Sequence, residues 1–328
     1  MTNKDGLVLL KFSTAYHLLN GLAYLEFLSR DGIRPVLVAC YDDYWRRNNI
    51  DQIYLDFLVE SGARLVGKEE FYSIERELAR EGVDYTKLQI NDGYRLPFSK
   101  KKIVAIDDGV GAYQGVLVKL RALIKELKVV NSSVAEGFKI GLSILIKKVL
   151  AWIMPVQRFG LFSQLDPLKE NRDYIECAKV VLGKFKDKRD FSLSLYGGEH
   201  AVVLFLTQPA VQLKWLTEEQ YKTVIEDLRT WAEFEKGAKL YIKRHPVDDF
   251  DYGGLPCVEF QGMAEEMFFD EKVVAVVSIN STSLIMAGAL FGIPAFAIGV
   301  TDYVGKSKLL SRIFKKYTGL IPGSSYVG

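Results

Sequence analysis

One pattern occurs twice in this chain: a short apolar run rich in Val, Ile and Leu, a turn, and then a segment with apolar residues at helical spacing. Parallel strands need a long crossover connection, and that crossover is usually a helix. Alternation of this kind therefore predicts α/β folding, with parallel sheets and helices on their faces. In the first series, strands are expected at residues 6–12, 34–40, 63–66 and 103–106, and helices at 16–30, 51–61 and 114–127. In the second, strands are expected at 201–206, 238–242, 257–260, 273–278 and 295–298, with helices at 217–236, 263–269, 282–291 and 306–317. Thr217 and Gln220 have the spacing of a capping box. Residues 165–200 are rich in charge and turn formers, so the reading is two domains, 1–190 and 191–328. A length of 328 residues also exceeds what one core usually serves.

Composition excludes several classes. The formal net charge of +2 gives no global attraction to nucleic acid. Cys40, Cys177 and Cys257 are odd in number and far apart, which fits neither a disulfide framework nor a zinc site and points to a reducing cytoplasm. The first residues lack the pattern of a signal peptide, so no secretion is expected, and no apolar run reaches the ~18 residues that would cross a bilayer. Residues 135–155 are apolar but broken by Lys139, Lys147 and Lys148. A helix buried between domains is the preferred reading, and a basic amphipathic segment at a membrane surface is the other.

Chemistry-bearing residues fall at the ends of expected strands, where open α/β sheets hold ligands. The run 103–106 stops at Asp107-Asp108-Gly109, which reads either as a surface turn or as a pair of functional carboxylates. The strand at 238–242 ends in Lys243-Arg244-His245-Pro246, a histidine placed among cations where it can meet an anion. The strand at 273–278 runs into Asn280-Ser281-Thr282-Ser283 and a helix, with hydroxyls and free N–H groups suited to phosphate or to simple capping. Glu265 and Glu266 open the short helix at 263–269.

In order and spacing these elements resemble bacterial sialyltransferases of the two-domain GT-B type, particularly the lipooligosaccharide sialyltransferase and capsular polysialyltransferase branches. Asp107-Asp108-Gly109 looks like the family's acidic motif, His245-Pro246 its His-Pro motif, and Ser281-Thr282-Ser283 its Ser-Ser/Thr motif. Softer matches are the segment from Ser13 to Asn20, where Ala15 replaces the usual proline, and Leu206-Thr207-Gln208-Pro209. Residues from about 135 to 200 match no motif.

The resemblance implies two Rossmann-like domains with a cleft between them, the first holding acceptor and the second a CMP-sugar. It implies an inverting transfer of sialic acid or another nonulosonic acid, without cofactor or metal, to lipooligosaccharide or capsule. By similarity Asp107 is the expected base, with Asp108 second in line, and His245 assists the leaving phosphate. Pro246, Ser281, Thr282, Ser283, Gln208 and Gly109 are expected around the donor, with Glu265 or Glu266 on ribose. Thr14, Tyr16 and His17 are expected around the acceptor. The setting implied is bacterial and cytoplasmic, with peripheral association at the inner membrane and a homodimer both allowed. The alternatives are another nucleotide-sugar transferase or epimerase of the same fold, or a non-catalytic, membrane-docked assembly subunit.

Overall fold

In the computed structural model, residues 4–42, 50–91, 102–107, 109, 157–162, 166, 168–189, 192–193, 200–279, 281–298 and 308–321 are described. The chain divides into two compact units, Met1–Val181 and Leu182–Gly328. The division falls inside a helix, Arg172–Asp187, in a stretch whose charge density reads as linker in sequence. The expected helices at 114–127 and 135–155, the second being the apolar lysine-broken segment, lie outside the described residues.

The first unit carries a sheet of six strands, all paired in parallel. They are β1 (Lys4–Phe12), β2 (Ile33–Tyr41), β3 (Arg64–Leu65), β4 (Thr86–Asn91), β5 (Lys102–Asp107) and β6 (Gln157–Phe159), in the order β3-β2-β1-β4-β5-β6. Helices α1 (Ala15–Arg30), α2 (Gln52–Glu60) and α3 (Lys68–Glu81) connect the early strands, and α4 (Arg172–Asp187) follows β6. Strands with both faces covered read as continuous apolar runs, as the buried Leu37–Cys40 stretch of β2 does. On one face, Leu9, Val38 and Cys40 pack with Phe71 of α3 and Tyr85. The ring of Phe159 in β6 meets Tyr24 of α1 at 5.3 Å and Tyr174 of α4 at 5.6 Å, both edge-on.

The second unit has a five-stranded parallel sheet in the order β11-β10-β9-β7-β8. Its strands are β7 (Val202–Leu206), β8 (Lys239–Lys243), β9 (Val273–Ser278), β10 (Ala295–Ala297) and β11 (Gly319–Leu320). Helix α5 (Glu218–Lys236) is capped as expected: Gln220 N donates to Thr217 Oγ1 and Thr217 N to Gln220 Oε1. α6 (Thr282–Met286) continues as a π-helical turn, Ala287–Phe291, and α7 is Lys308–Tyr317. Residues 264–269 form a 3-10 helix. The strand expected at 257–260 reduces to one bridge, Ile242 with Cys257. Register decides what matters next. Leu206 pairs with Lys243 on one side and Ser278 on the other, so the loops after β7, β8 and β9 start level at one edge.

Candidate active site

Asp107 is the last residue of β5, paired with Asn91 of β4. Its side chain has no exposed surface. Oδ1 accepts from Arg158 Nε at 3.0 Å and Nη2 at 2.6 Å, while Oδ2 accepts the Leu161 N–H at 3.1 Å. Asn20 Nδ2 donates to the Asp107 carbonyl at 3.0 Å, and the Tyr174 hydroxyl donates to Asn20 Oδ1. Gly160 makes room for this carboxylate: a Cβ there would lie 2.2 Å from Asp107 Oδ2. The motif's glycine, Gly109, has φ +69, the left-handed region that suits glycine. Asp108 lies outside the described residues.

Sequence reading marks none of Arg158, Gly160 and Tyr174, which lie against Asp107 or its partner Asn20, and marks Asn20 only as the end of the Ser13–Asn20 segment. Asn20 carried a usable signal, because it stands on an otherwise apolar helix face among Leu18, Leu19 and Leu22. A buried polar residue in that position needs a partner. Of the expected acceptor residues, Thr14 caps α1 by accepting the His17 N–H at 3.1 Å. His17 is buried, its Nδ1 3.2 Å from Ser13 Oγ. Tyr16 is half-buried.

In the second unit, His245 follows β8 and is half-buried. Its N–H donates to Thr207 Oγ1 at 2.9 Å, and its Nδ1 accepts from Val247 N at 3.4 Å. Burial pulls the imidazole below its ordinary pKa; Asp248 opposes that shift and Lys243 adds to it. Pro246 is exposed and Gln208 half-buried. Ser281 is the N-cap of α6, where its Oγ accepts the Ser283 N–H at 3.2 Å. Ser283 Oγ donates to Glu265 Oε1 at 2.7 Å, tying the 3-10 helix to this turn. Thr282 is half-buried, and Asn280 lies outside the described residues.

Both glutamates are buried. Burial raises the Glu265 pKa against the Ser283 hydrogen bond. Glu266 accepts from Met263 N at 2.9 Å through Oε1 and from Arg189 Nε at 2.9 Å through Oε2. Lys243 donates to the Phe260 carbonyl, and burial pushes its amine down to about 8 against the pull of Glu266 and Glu265. The half-buried Lys243 and Arg189 thus stand with the buried Glu265 and Glu266 of the 3-10 helix as one titratable group. Among the described residues, no three His, Cys, Asp or Glu side chains come together as a metal set.

Two parallel α/β units, each with its marked residues at the carboxyl ends of strands, make up a GT-B fold. The fold is similar to UDP-GlcNAc 2-epimerase from Methanocaldococcus jannaschii, with a TM-score of 0.53, 12% identity, and coverage of 97% of this chain and 88% of that one. It is also similar to a UDP-glucose:anthocyanidin 3-O-glucosyltransferase in complex with UDP, with a TM-score of 0.51, 10% identity, and coverage of 99% and 87%. No curated protein matches by sequence. The alpha-2,8-polysialyltransferase family matches residues 95–300, more than half of the chain and a span that includes all three motifs. The chain belongs to that family and is a sialyltransferase-like glycosyltransferase. No described helix is long and apolar enough to cross a membrane.

Proposed function

We propose that this protein is an inverting, metal-independent transferase that moves sialic acid or a related nonulosonic acid from a CMP donor to a cell-surface glycan, lipooligosaccharide or capsule. One observation carries the reading: the family match spans Asp107-Asp108-Gly109, His245-Pro246 and Ser281-Thr282-Ser283 together. The first unit takes the acceptor, with Thr14, Tyr16 and His17 near it, and the second takes the donor at the level edge formed by β7, β8 and β9.

In the reaction a carboxylate removes the acceptor hydroxyl proton, the acceptor oxygen bonds to the anomeric carbon, and the bond from that carbon to the phosphate oxygen breaks. CMP leaves carrying the electron pair. The resemblance favours Asp107 as base, but its carboxylate is enclosed and held by Arg158 and the Leu161 N–H. A base must come within hydrogen-bonding reach of the proton it takes. We therefore assign the base to Asp108 and give Asp107 the task of fixing the end of β5. His245 donates to the departing phosphate, whose charge grows as the bond breaks.

Ser281 accepts one hydrogen bond and keeps its own hydroxyl hydrogen for phosphate. Ser283 spends its hydrogen on Glu265, so that pair shapes the turn. Glu265 and Glu266 are both buried, the first held by Ser283 and the second by Met263 N and Arg189, so neither stands at the surface for a ribose. We assign both glutamates to supporting the donor site. Gln208 and Pro246 follow β7 and β8 at that edge, and Thr282 contributes its place at the helix start.

The test is a donor panel with EDTA present. Transfer from CMP-sialic acid is expected, with no consumption of UDP-sugars. Use of a UDP-sugar alone would overturn the proposal. Asp108→Ala and His245→Ala are expected to abolish turnover while leaving melting temperature near wild type, and full activity in Asp108→Ala would remove it as the base.

A further inference from the structure

The turn that carries His245 is closed from beneath by a ring of hydrogen bonds to which the transfer chemistry assigns no part. His245 N donates to Thr207 Oγ1 at 2.9 Å. The Thr207 side chain hydrogen-bonds to Tyr252, and the Tyr252 hydroxyl donates to Asp248 Oδ2 at 2.6 Å. Asp248 N then donates to the His245 carbonyl at 2.9 Å, which returns the path to its start. Thr207 comes from the end of β7, Asp248 from the turn after β8, and Tyr252 from the loop beyond it.

The proton directions in this ring are determined. Tyr252 gives its only hydrogen to Asp248, so its oxygen accepts from Thr207 and from Tyr221, whose hydroxyl is 2.9 Å away. Thr207 in turn accepts the His245 N–H and donates onward. Asp248 Oδ1 accepts from Phe250 N at 3.3 Å. Thr207, Asp248 and Tyr252 are at most 7% exposed, so water does not compete for these bonds. The Arg244 guanidinium covers the Tyr252 ring at 5.2 Å.

This order reaches the imidazole. With the turn held at both the N–H and the carbonyl of His245, the Val247 N–H faces Nδ1. A neutral ring whose Nδ1 accepts must carry its hydrogen on Nε2. That tautomer suits a phosphate leaving group: the departing monoester has a second pKa near ~6, so a neutral donor stabilises it without complete proton transfer. The charged groups facing the ring are Asp248 and Lys243.

We propose that Thr207, Tyr252 and Asp248 are positioning residues for His245, forming a closed ring with its backbone that holds Nδ1 against the Val247 N–H and leaves the Nε2 hydrogen for the leaving group. The proposal rests on the assignment of His245 to the leaving phosphate.

The test is nitrogen NMR on histidine-labelled full-length enzyme, joined to steady-state kinetics. Only His17, His200 and His245 contribute signals, and His245→Gln assigns the third. The wild-type His245 is expected as the Nε2–H tautomer. Tyr252→Phe and Thr207→Val are expected to give mixed tautomers and a kcat lower by about tenfold to a hundredfold, with donor KM within about threefold. Thr207→Ser, which keeps the hydroxyl, should restore both readouts. Asp248→Asn should move the His245 titration to lower pH. An Nδ1–H tautomer in the wild type, or unchanged tautomer and kcat in Tyr252→Phe and Thr207→Val, would overturn the proposal. If His245→Ala kept full transfer while the tautomer results held, the ring would stand and the leaving-group role would fall.

Discussion

The two sheets end in opposite ways. At the edge of the first, the motif carboxylate of Asp107 is buried and engaged, with Arg158, the Leu161 N–H and a glycine wall against it. At the edge of the second, the motif histidine is bound through its backbone and one ring nitrogen, and the buried Glu266 of the 3-10 helix pairs with Arg189 instead. Both are motif residues at strand ends, yet one anchors and the other presents. Motif membership gives the residue type needed at a position, while packing decides whether the side chain is spent on the fold or kept for a ligand.

The largest effect that sharpens this contrast is expected at Arg158. Removing one partner of a buried ion pair costs about 3–5 kcal/mol, because the other charge is left uncompensated. Arg158→Ala should therefore lower the chemical-denaturation midpoint sharply, whereas Arg158→Met with Asp107→Asn should recover most of the loss. Gly160→Ala should be comparably harmful, since its Cβ would meet Asp107 within 2.2 Å. A wild-type midpoint in Arg158→Ala would show that Asp107 is not an anchor.

A second difference concerns hydroxyls of the second unit. Ser283→Ala leaves a buried Glu265 oxygen without its donor, a loss of about 1–3 kcal/mol in stability. Ser281→Ala should instead raise donor KM with a smaller change in stability. Reversal of the two phenotypes in melting and kinetic assays would exchange their roles.

The pH dependence is a subtler contrast. Lys243 has a folded pKa pushed down to about 8 from an ordinary 10.5. Between those values the unfolded chain binds more protons, so the lysine's contribution favours folding increasingly as pH rises and is lost as pH falls through about 8. Urea unfolding of Lys243→Met should lack that rising limb between pH 8 and 10.5. Parallel curves for wild type and variant would deny the burial effect. The smallest effect is expected from Lys147→Glu with Lys148→Glu, which should reduce co-sedimentation with anionic liposomes if residues 135–155 lie on membranes. Unchanged partitioning returns that segment to the buried reading.

Elements with dense apolar runs were legible in the chain. β7 is buried along its whole length and reads as an unbroken strand, and the cap of α5 follows from Thr217 and Gln220 alone. β4 was not legible. Its sequence, Thr86 to Asn91, alternates polar and apolar residues and gives no sign of a central position, which comes from pairing with β1 and β5. α3 was hidden for a related reason: of its fourteen residues only Phe71 is fully buried, so charge dominates its appearance. α4 looks like a charged connection in sequence because its apolar residues are diluted by lysines, although Tyr174, Cys177, Ala178 and Val181 are buried.

The sequence by itself determined the class of fold, because period and alternation are properties of neighbouring residues, and it marked the three motifs by their types and order. Only the tertiary structure decided what each marked residue has left to offer. Arg158 lies fifty-one positions from Asp107, Ser283 eighteen from Glu265, and Thr207 thirty-eight from His245. Contacts across such distances are set by strand register and burial, which the local pattern of residues does not encode.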